Sequence, residues 1–207
     1  MENGFHVTLT SSDIKLSKAL ENGIEFSCQM CGSCCRGFHE GEVYLYQDDI
    51  DRLSEFLHIS GKSELKKFAK KYLRIINDTF FWKEPGCERG KTYKFKNIGL
   101  KFTGDDEHCQ FLKDNKCIVH ENRPFQCICF PFWHMLVSSR KIFIDYAKKC
   151  PGLNTLKGKY YSKEEILDWA TKEYEMEKEY FFKMRQNDFN IFKVYPFLSK
   201  DMIFKKN

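Results

Sequence analysis

Four cysteines lie within a stretch of eight residues, as Cys28-x2-Cys31-x2-Cys34-Cys35. Two residues between cysteines allow both sulfurs to face one ion around a tight turn, and Gly32 supplies the backbone freedom that such a turn needs. An isolated cysteine is often a buried structural thiol, whereas closely spaced thiols are typical of metal sites. Because thiolates are soft ligands, they select zinc or iron–sulfur clusters over hard cations. The spacing therefore predicts a metal centre.

The second half of the chain adds Cys109, Cys117, Cys127 and Cys150. Eight thiols suit two four-thiolate zinc sites. The spacing of the first three cysteines also matches the opening of a bacterial ferredoxin motif, in which the fourth cysteine precedes proline, as Cys150 precedes Pro151 here. Zinc and an iron–sulfur cluster therefore both remain open.

Cys34 and Cys35 are adjacent in the sequence, and adjacent side chains diverge when the backbone is extended. We therefore do not expect both sulfurs to bind one tetrahedral ion easily. Their adjacency favours more than one metal, or a cluster.

Many thiolates around a dication leave net negative charge, so nearby cations are expected. Basic residues adjoin the cysteine segments at Arg36, Arg123, Lys148 and Lys149. Arg123 either balances the charge of the sulfurs or packs against a short helix, since arginine also forms structural hydrogen bonds readily.

Histidine can replace a cysteine sulfur in zinc sites and in some clusters. The candidates are His39, His108, His120 and His134, of which His108 is the best placed because it precedes Cys109. A single histidine is more often a hydrogen-bonding residue than a ligand. The aromatic run Phe130–Trp133 is expected to pack over the site and keep water from the sulfurs.

The elements that must position these residues include two amphipathic helices. Asp48 or Asp49 caps the first helix, which should end near Ser60-Gly61, and the second starts at about Ser63. Their core-facing residues are Ile50, Leu53, Phe56 and Leu57 in the first helix, and Leu65, Phe68, Ala69, Tyr72 and Leu73 in the second. Residues 42–46 alternate like a strand, whereas Gly and Pro residues between 77 and 104 predict irregular strands and loops.

The polar segment 113–116 separates two short β-prone runs, which predicts a hairpin that brings Cys109 and Cys117 together. Pro124 suits the start of a short helix that holds Cys127 and stops by Pro131. A last helix is predicted from Ser162 to about residue 186, with a possible Ser162–Glu165 capping box.

Bulk properties favour one globular domain of 207 residues, since 42% of residues are apolar. We expect a metal-binding core at about residues 26–152 and a C-terminal helical extension at about 160–207.

The net charge of +5 is spread along the chain, so no nucleic-acid partner is expected. No signal peptide and no membrane-spanning run are evident, which predicts a cytoplasmic protein without membrane contact, where ten cysteines need a role other than disulfides. The predicted fold class is α+β: small antiparallel strands and cysteine-bearing loops around a metal site, packed with amphipathic helices.

Several motifs in one order resemble the CxxCxxCC (YkgJ-like) zinc- or iron-chelating family. They are Phe26-x-Cys28-x2-Cys31-Gly32-x-Cys34-Cys35-Arg36, Cys109-x-Phe111-Leu112, Cys117-Ile118, Arg123-Pro124-x2-Cys127, Phe130-Pro131-Phe132 and Cys150-Pro151-Gly152. The resemblance implies eight chelators, which are Cys28, Cys31, Cys34, Cys35, Cys109, Cys117, Cys127 and Cys150. Cys87 and Cys129 lie outside the pattern and are expected to be structural or spare thiols.

Three functions are compatible with this pattern. The first is a metal-binding module in which thiolates hold an iron–sulfur cluster or zinc, for folding, storage or transfer to another protein. The second follows from a distant similarity to flagellin lysine methylases, which implies an iron–sulfur protein that methylates a protein lysine, such as one in flagellin, with S-adenosylmethionine as donor. The third is redox sensing, in which Cys34-Cys35 or Cys127-x-Cys129 oxidises and expels the metal.

Overall fold

The computed structural model describes residues 14–39, 42–104, 107–153, 155 and 157–203. The strands are β1 (Ile24–Phe26), β2 (Tyr44–Leu45), β3 (Leu73–Trp82), β4 (Lys91–Leu100), β5 (Phe102–Thr103), β6 (His108–Cys109), β7 (Leu112–Lys113), β8 (Lys116–Cys117) and β9 (Lys159–Tyr161). The α-helices are α1 (Gln47–Phe56), α2 (Gly61–Tyr72), α3 (Phe125–Cys129), α4 (His134–Ser138), α5 (Arg140–Lys149), α6 (Lys163–Gln186) and α7 (Ile191–Val194). Short 3-10 helices cover Lys18–Leu20, Cys34–His39, His120–Asn122, Pro151–Leu153 and Lys200–Met202. Helices combined with small antiparallel sheets confirm the predicted α+β class.

The chain divides into two compact units, each built from two stretches of sequence. The first unit comprises Met1–Cys31 and Cys129–Met176, and the second comprises Gly32–Ile128 and Glu177–Asn207. The single domain, its metal-binding core and its helical extension stay predictions.

A three-stranded antiparallel sheet, in the order β2-β4-β3, is the largest sheet of the second unit. β3 and β4 pair over their full length, from Leu73 opposite Leu100 to Trp82 opposite Lys91. The expectation of irregular strands here was wrong. Pro85 and Gly86 mark the turn between the strands, but the pairing of their backbones is a tertiary feature that neither run shows alone.

The two amphipathic helices of the second unit are confirmed, with different bounds. Ile50 and Leu53 of α1 are fully buried, and so are Phe68 and Ala69 of α2. α1 ends at Phe56, which is 42% exposed, and Gly61 opens α2 instead of following α1.

The C-terminal part of α6 supplies aromatic residues to the second unit. The ring of Phe181 stacks on that of Phe80 with centroids 4.8 Å apart and meets the edge of Tyr93 at 5.1 Å. The Tyr180 hydroxyl donates to the carbonyl of Lys96 at 2.8 Å. These contacts cover the β3–β4 pair and give it a rigid apolar backing.

The first unit pairs β1 with β9 and packs aromatic side chains around Phe26. Phe130 and Phe132 meet the Phe26 ring edge-on, at centroid distances of 5.8 and 6.2 Å. The predicted aromatic run is therefore a packing element of this unit. His134 Nδ1 lies 2.8 Å from the Glu173 carboxylate, so this histidine makes a hydrogen bond within the unit.

α6 begins with the capping box that the sequence predicts. The Ser162 amide donates to Glu165 Oε2 at 2.9 Å, and the Glu165 amide donates to the Ser162 hydroxyl at 3.2 Å. Within the described residues, no helix combines the length and apolarity that a bilayer crossing requires.

Replacing the capping serine should destabilise the protein, because an amide at the start of α6 loses its acceptor. We expect Ser162→Ala to lower the free energy of unfolding by about 1 kcal/mol in urea denaturation. Ser138→Ala is a matched control, since Ser138 only donates back to the carbonyl of His134 in its own helix, and it should change stability by less than about 0.5 kcal/mol. Equal effects of the two substitutions would contradict the role of the capping box.

Candidate metal centre

The cysteine-rich segment enters the second unit through a glycine turn. Gly32 has φ +76°, a left-handed conformation that glycine adopts without penalty, as the sequence predicts. The turn leads into the 3-10 helix Cys34–His39, which carries both adjacent cysteines. Their backbone is therefore not extended, and the two sulfurs share a hydrogen bond, so the divergence expected for an extended backbone does not occur.

The predicted hairpin is present and places Cys117. β7 and β8 pair with Leu112 opposite Cys117. The two turn residues, Asp114 and Asn115, have φ of 48° and 59°, as a two-residue hairpin of the right twist requires. Aspartate and asparagine tolerate this conformation better than other non-glycine residues.

A second short antiparallel pair places Cys109. β5 pairs with β6 so that Cys109 lies opposite Phe102, and β6 packs against the 3-10 helix that holds Cys34 and Cys35. The hairpin follows directly, and the Ile118 amide donates to the carbonyl of Phe111 at 2.9 Å. Two hairpin-like pairs and one 3-10 helix thus gather four cysteines within the second unit.

In this four-thiol cluster, which is Cys34, Cys35, Cys109 and Cys117, hydrogen bonds link three of the sulfurs, and Cys109 interacts with them only electrostatically. Among the described residues, no three of these sulfurs all lie within 4.8 Å of one another, so a bound metal would have to draw them together. Cys35 hydrogen-bonds to both Cys117 and Cys34, which raises its pKa far above the ordinary value and keeps its proton in place. The same hydrogen bonds lower the pKa of Cys34 to about 7 and that of Cys117 to about 6. Burial raises the pKa of Cys109 to about 12. Near neutral pH, Cys117 is therefore mostly ionised and Cys34 is partly ionised, whereas Cys35 and Cys109 keep their protons.

Two of the four sulfurs also accept backbone hydrogen bonds in the same local geometry. The Phe111 amide donates to Cys109, and the Val119 amide donates to Cys117. In each case the donor is two residues after the cysteine. An N–H group directed at sulfur favours the thiolate over the thiol, which is the form that binds metal.

Basic side chains approach the cluster from the segment that follows Cys117. His120 and Arg123 both lower the pKa of Cys117 through their charge, and their side chains are in contact. Arg123 Nε is buried and has no hydrogen-bond partner among the described residues. An arginine placed in this way can balance the charge of metal-bound thiolates, as the sequence suggests.

Arg36 joins the two backbone segments that carry the cluster. Its Nη1 donates to the carbonyl of Gly32 at 3.3 Å, and its Nη2 donates to Asn115 Oδ1 at 3.0 Å. The glycine turn before Cys34 is thereby tied to the hairpin turn before Cys117.

The donor set of the four-thiol cluster fits zinc or an iron–sulfur cluster. Four cysteine sulfurs are the usual ligands of structural zinc and of both common cluster types. Such a group would draw together the 3-10 helix and the two short strand pairs. Backbone N–H donors and the Arg123 charge would stabilise it from outside the ligand set.

The other predicted ligands have different positions. Cys127 is half-buried and lies on α3 in the second unit. Cys28 and Cys31 are exposed and belong to the first unit, as does the buried Cys150. The segments of Cys28 and Cys150 are neighbours, since the Ser27 amide donates to the Gly152 carbonyl at 3.4 Å.

Gly152 is required for this approach in the first unit. A Cβ atom at this position would lie 2.3 Å from the carbonyl oxygen of Ser27. Only glycine therefore allows the Cys150-Pro151-Gly152 motif to lie against the segment before Cys28.

A family model, "CxxCxxCC: Putative zinc- or iron-chelating domain", matches residues 27–179. The chain belongs to the CxxCxxCC family. The match spans every motif that carries the resemblance after Phe26, including all eight predicted chelators. No solved structure is significantly similar to the chain.

The remaining cysteines and histidines of this CxxCxxCC chain are placed as follows. Cys87 is exposed, and Cys129 is fully buried on α3. The charge of His120 lowers the pKa of Cys117. His108, which the sequence favoured as a histidine ligand, lies on β6.

No sequence pattern marks the residues that hold the segment between Cys117 and Cys127. Asp49 is recognisable only as a helix cap, and nothing local distinguishes Arg52 or Gln126. Their partners are 71 to 82 residues away in the chain, so no local pattern reveals the pairing.

The lowered pKa values predict a distinct pH profile of thiol alkylation in the metal-free protein. Since only thiolates react, the iodoacetamide rates of Cys34 and Cys117 should level off above about pH 8 and fall as pH drops through 7 and 6. The rate of Cys109 should still rise above pH 9, because its pKa lies near 12. Peptide mass spectrometry measures each rate. Identical profiles for the three thiols would contradict the hydrogen bonds that Cys35 makes to Cys34 and Cys117.

Proposed function

We propose that this protein is a thiolate metal-binding protein that holds zinc or an iron–sulfur cluster. The observation that carries the proposal is the four-thiol cluster, in which Cys35 shares hydrogen bonds with Cys34 and Cys117 while Cys109 lies within electrostatic range. Membership of a zinc- or iron-chelating family supports a metal ligand of this kind.

The proposed ligand set starts with the four-thiol cluster and extends to the other cysteines of the family motifs. Those are Cys28, Cys31, Cys127 and Cys150. Cys87 and Cys129 are not proposed as ligands. All ten cysteines are free thiols, which agrees with our proposal that the protein works in the reducing cytoplasm.

Metal binding at such a site contributes directly to folding. The cysteine-bearing strands β6 and β8 and their partners β5 and β7 are two residues each and therefore have few hydrogen bonds of their own. Thiolate–metal bonds that form only in the folded state stabilise that state by their whole binding free energy. A structural or carrier role therefore needs no catalytic group.

Anaerobic purification separates the two proposed metals. A brown protein with matching iron and acid-labile sulfide would identify a cluster, and a colourless protein with one or two zinc ions per chain would identify zinc. A chain that contains neither metal after anaerobic purification would overturn the proposal.

The alternative is an iron–sulfur protein that transfers a methyl group from S-adenosylmethionine to a protein lysine, such as one in flagellin. This activity requires binding of the donor, which raises the melting temperature progressively as its concentration exceeds the dissociation constant. Stabilisation by S-adenosylmethionine would favour the enzyme, and stabilisation by metal alone would favour the binding protein.

Removing the sulfur that bridges the cluster should abolish tight metal binding. We expect Cys35→Ser to weaken Zn²⁺ binding by on the order of 100-fold or more, measured by competition with a chromophoric chelator. Cys87→Ser is the matched control, because Cys87 is exposed and outside the motifs, and it should leave affinity within about threefold of the unsubstituted chain. An equal loss in both variants would show that the proposed ligand set is wrong.

A further inference from the structure

A buried carboxylate links the start of α1 to the segment that leads to Cys127. Asp49 is the third residue of α1, and its side chain is 1% exposed. Its Oδ2 accepts from the Tyr46 amide at 3.1 Å, as a residue at this position of a helix often does. Its Oδ1 accepts from the Phe125 amide at 2.8 Å, 76 residues along the chain.

Arg52 extends this link across Pro124, from Phe125 to Arg123. Its Nη2 lies 2.6 Å from Asp49 Oδ1 and also donates to the carbonyl of Arg123 at 2.9 Å. The ion pair thus binds the carbonyl before Pro124 and the amide after it. Proline has no amide N–H of its own. The Asp49–Arg52 pair, called the clamp below, therefore hydrogen-bonds to the backbone groups on both sides of a residue that offers no donor.

The clamped segment lies between two predicted metal ligands. Cys117 ends β8, the 3-10 helix His120–Asn122 follows, and Arg123-Pro124-Phe125 then leads into α3 with Cys127. Gln126 fixes the same segment to the sheet, since its Oε1 accepts from the Tyr44 amide at 2.5 Å. Arg123, which contacts His120 and lies near Cys117, is itself held through its carbonyl.

Stability alone is a weak reason for this arrangement. Burial of a carboxylate is costly, and a buried ion pair often contributes no more than an apolar pair of similar volume. The Tyr46 amide at the start of α1 needs only one acceptor, which an uncharged side chain at the third helical position can also provide. The distinguishing feature is geometric, because the pair fixes three backbone groups from two distant segments.

We propose that Asp49 and Arg52 are positioning residues of the metal centre, which hold the Arg123–Phe125 segment so that Cys117 and Cys127 keep the placement that metal binding requires. The inference rests on the proposed thiolate metal site. Neither side chain touches the metal, and both act through the backbone of the segment that carries the ligands.

The test compares the buried carboxylate of Asp49 with the half-buried carboxylate of Asp78 in the full-length chain. In Asp49→Asn, an amide N–H₂ must face either the Tyr46 amide or the donors of Phe125 and Arg52, so at least one hydrogen bond of the clamp is lost. The matched control is Asp78→Asn in β3, whose carboxylate accepts from Asn97 Nδ2 at 2.8 Å and from the Thr79 amide at 2.7 Å. Both substitutions replace a hydrogen-bonded carboxylate by an amide, but only the first releases the segment between the cysteines.

Zn²⁺ affinity is measured by chelator competition at a temperature where circular dichroism shows each variant folded. We expect Asp49→Asn to weaken Zn²⁺ binding by about 10- to 100-fold and Asp78→Asn by less than about threefold. Unchanged affinity in Asp49→Asn, or an equal loss in Asp78→Asn, would overturn the positioning role. Absence of Zn²⁺ binding by the unsubstituted chain would instead overturn the metal site itself, and this inference with it.

A second variant keeps the test available if Asp49→Asn fails to fold. Arg52→Met removes the bond to the Arg123 carbonyl and leaves the Phe125 amide on Asp49, so we expect a loss of about tenfold in Zn²⁺ affinity. Arg185→Met is its matched control, because Arg185 is similarly exposed and pairs with Glu84 at 2.5 Å and with the Tyr93 ring instead of the Arg123–Phe125 segment. Equal affinities of these two variants would contradict the clamp.

Discussion

Four cysteine thiols brought into one neighbourhood impose the main constraint on this protein. Cys34, Cys35 and Cys117 share hydrogen bonds, and Cys109 is close enough for its charge to be felt by the others. Several thiolates at such distances repel one another unless protons or a cation lie between them. In the absence of metal, the proton on Cys35 reduces this repulsion between its neighbours.

Positive groups of the surrounding chain offset the repulsion between the thiolates. Backbone amides of Phe111 and Val119 point at two sulfurs, and Arg123 and His120 add charge on the side of Cys117. These groups stabilise the thiolate form and would also offset the negative charge of a four-thiolate site. Selective binding of a soft dication follows from the same arrangement, because hard cations bind thiolates poorly.

The second unit combines a long, well-paired strand pair with very short elements that carry the clustered cysteines. The paired strands β3 and β4, backed by Phe181 and Tyr180, form a well-packed base. The cysteines, by contrast, lie on two-residue strands and 3-10 turns that depend on long-range ties such as Arg36 with Asn115 and Asp49 with Phe125. A bound metal would add a covalent-strength tie where the polypeptide has few of its own.

Sequence alone determined the features that depend on local chemistry. The spacing of Cys28, Cys31 and Cys34 indicated a metal centre, the polar turn at 113–116 indicated the hairpin, and Ser162 with Glu165 indicated the start of α6. Each of these depends on residues within a few positions of one another, so the pattern is visible in the chain itself.

Only the tertiary structure decided which groups meet across long separations. The full pairing of β3 with β4, the grouping of Cys34 and Cys35 with Cys109 and Cys117, and the contact of Asp49 with the Phe125 amide join segments that carry no mark of their partners. The conformation of Cys34-Cys35 was likewise decided by folding, since the two residues lie on a 3-10 helix and their sulfurs share a hydrogen bond. The physical reason is that hydrogen bonds and sulfur contacts between distant segments depend on how the whole unit packs, whereas turns and caps depend on a few adjacent residues.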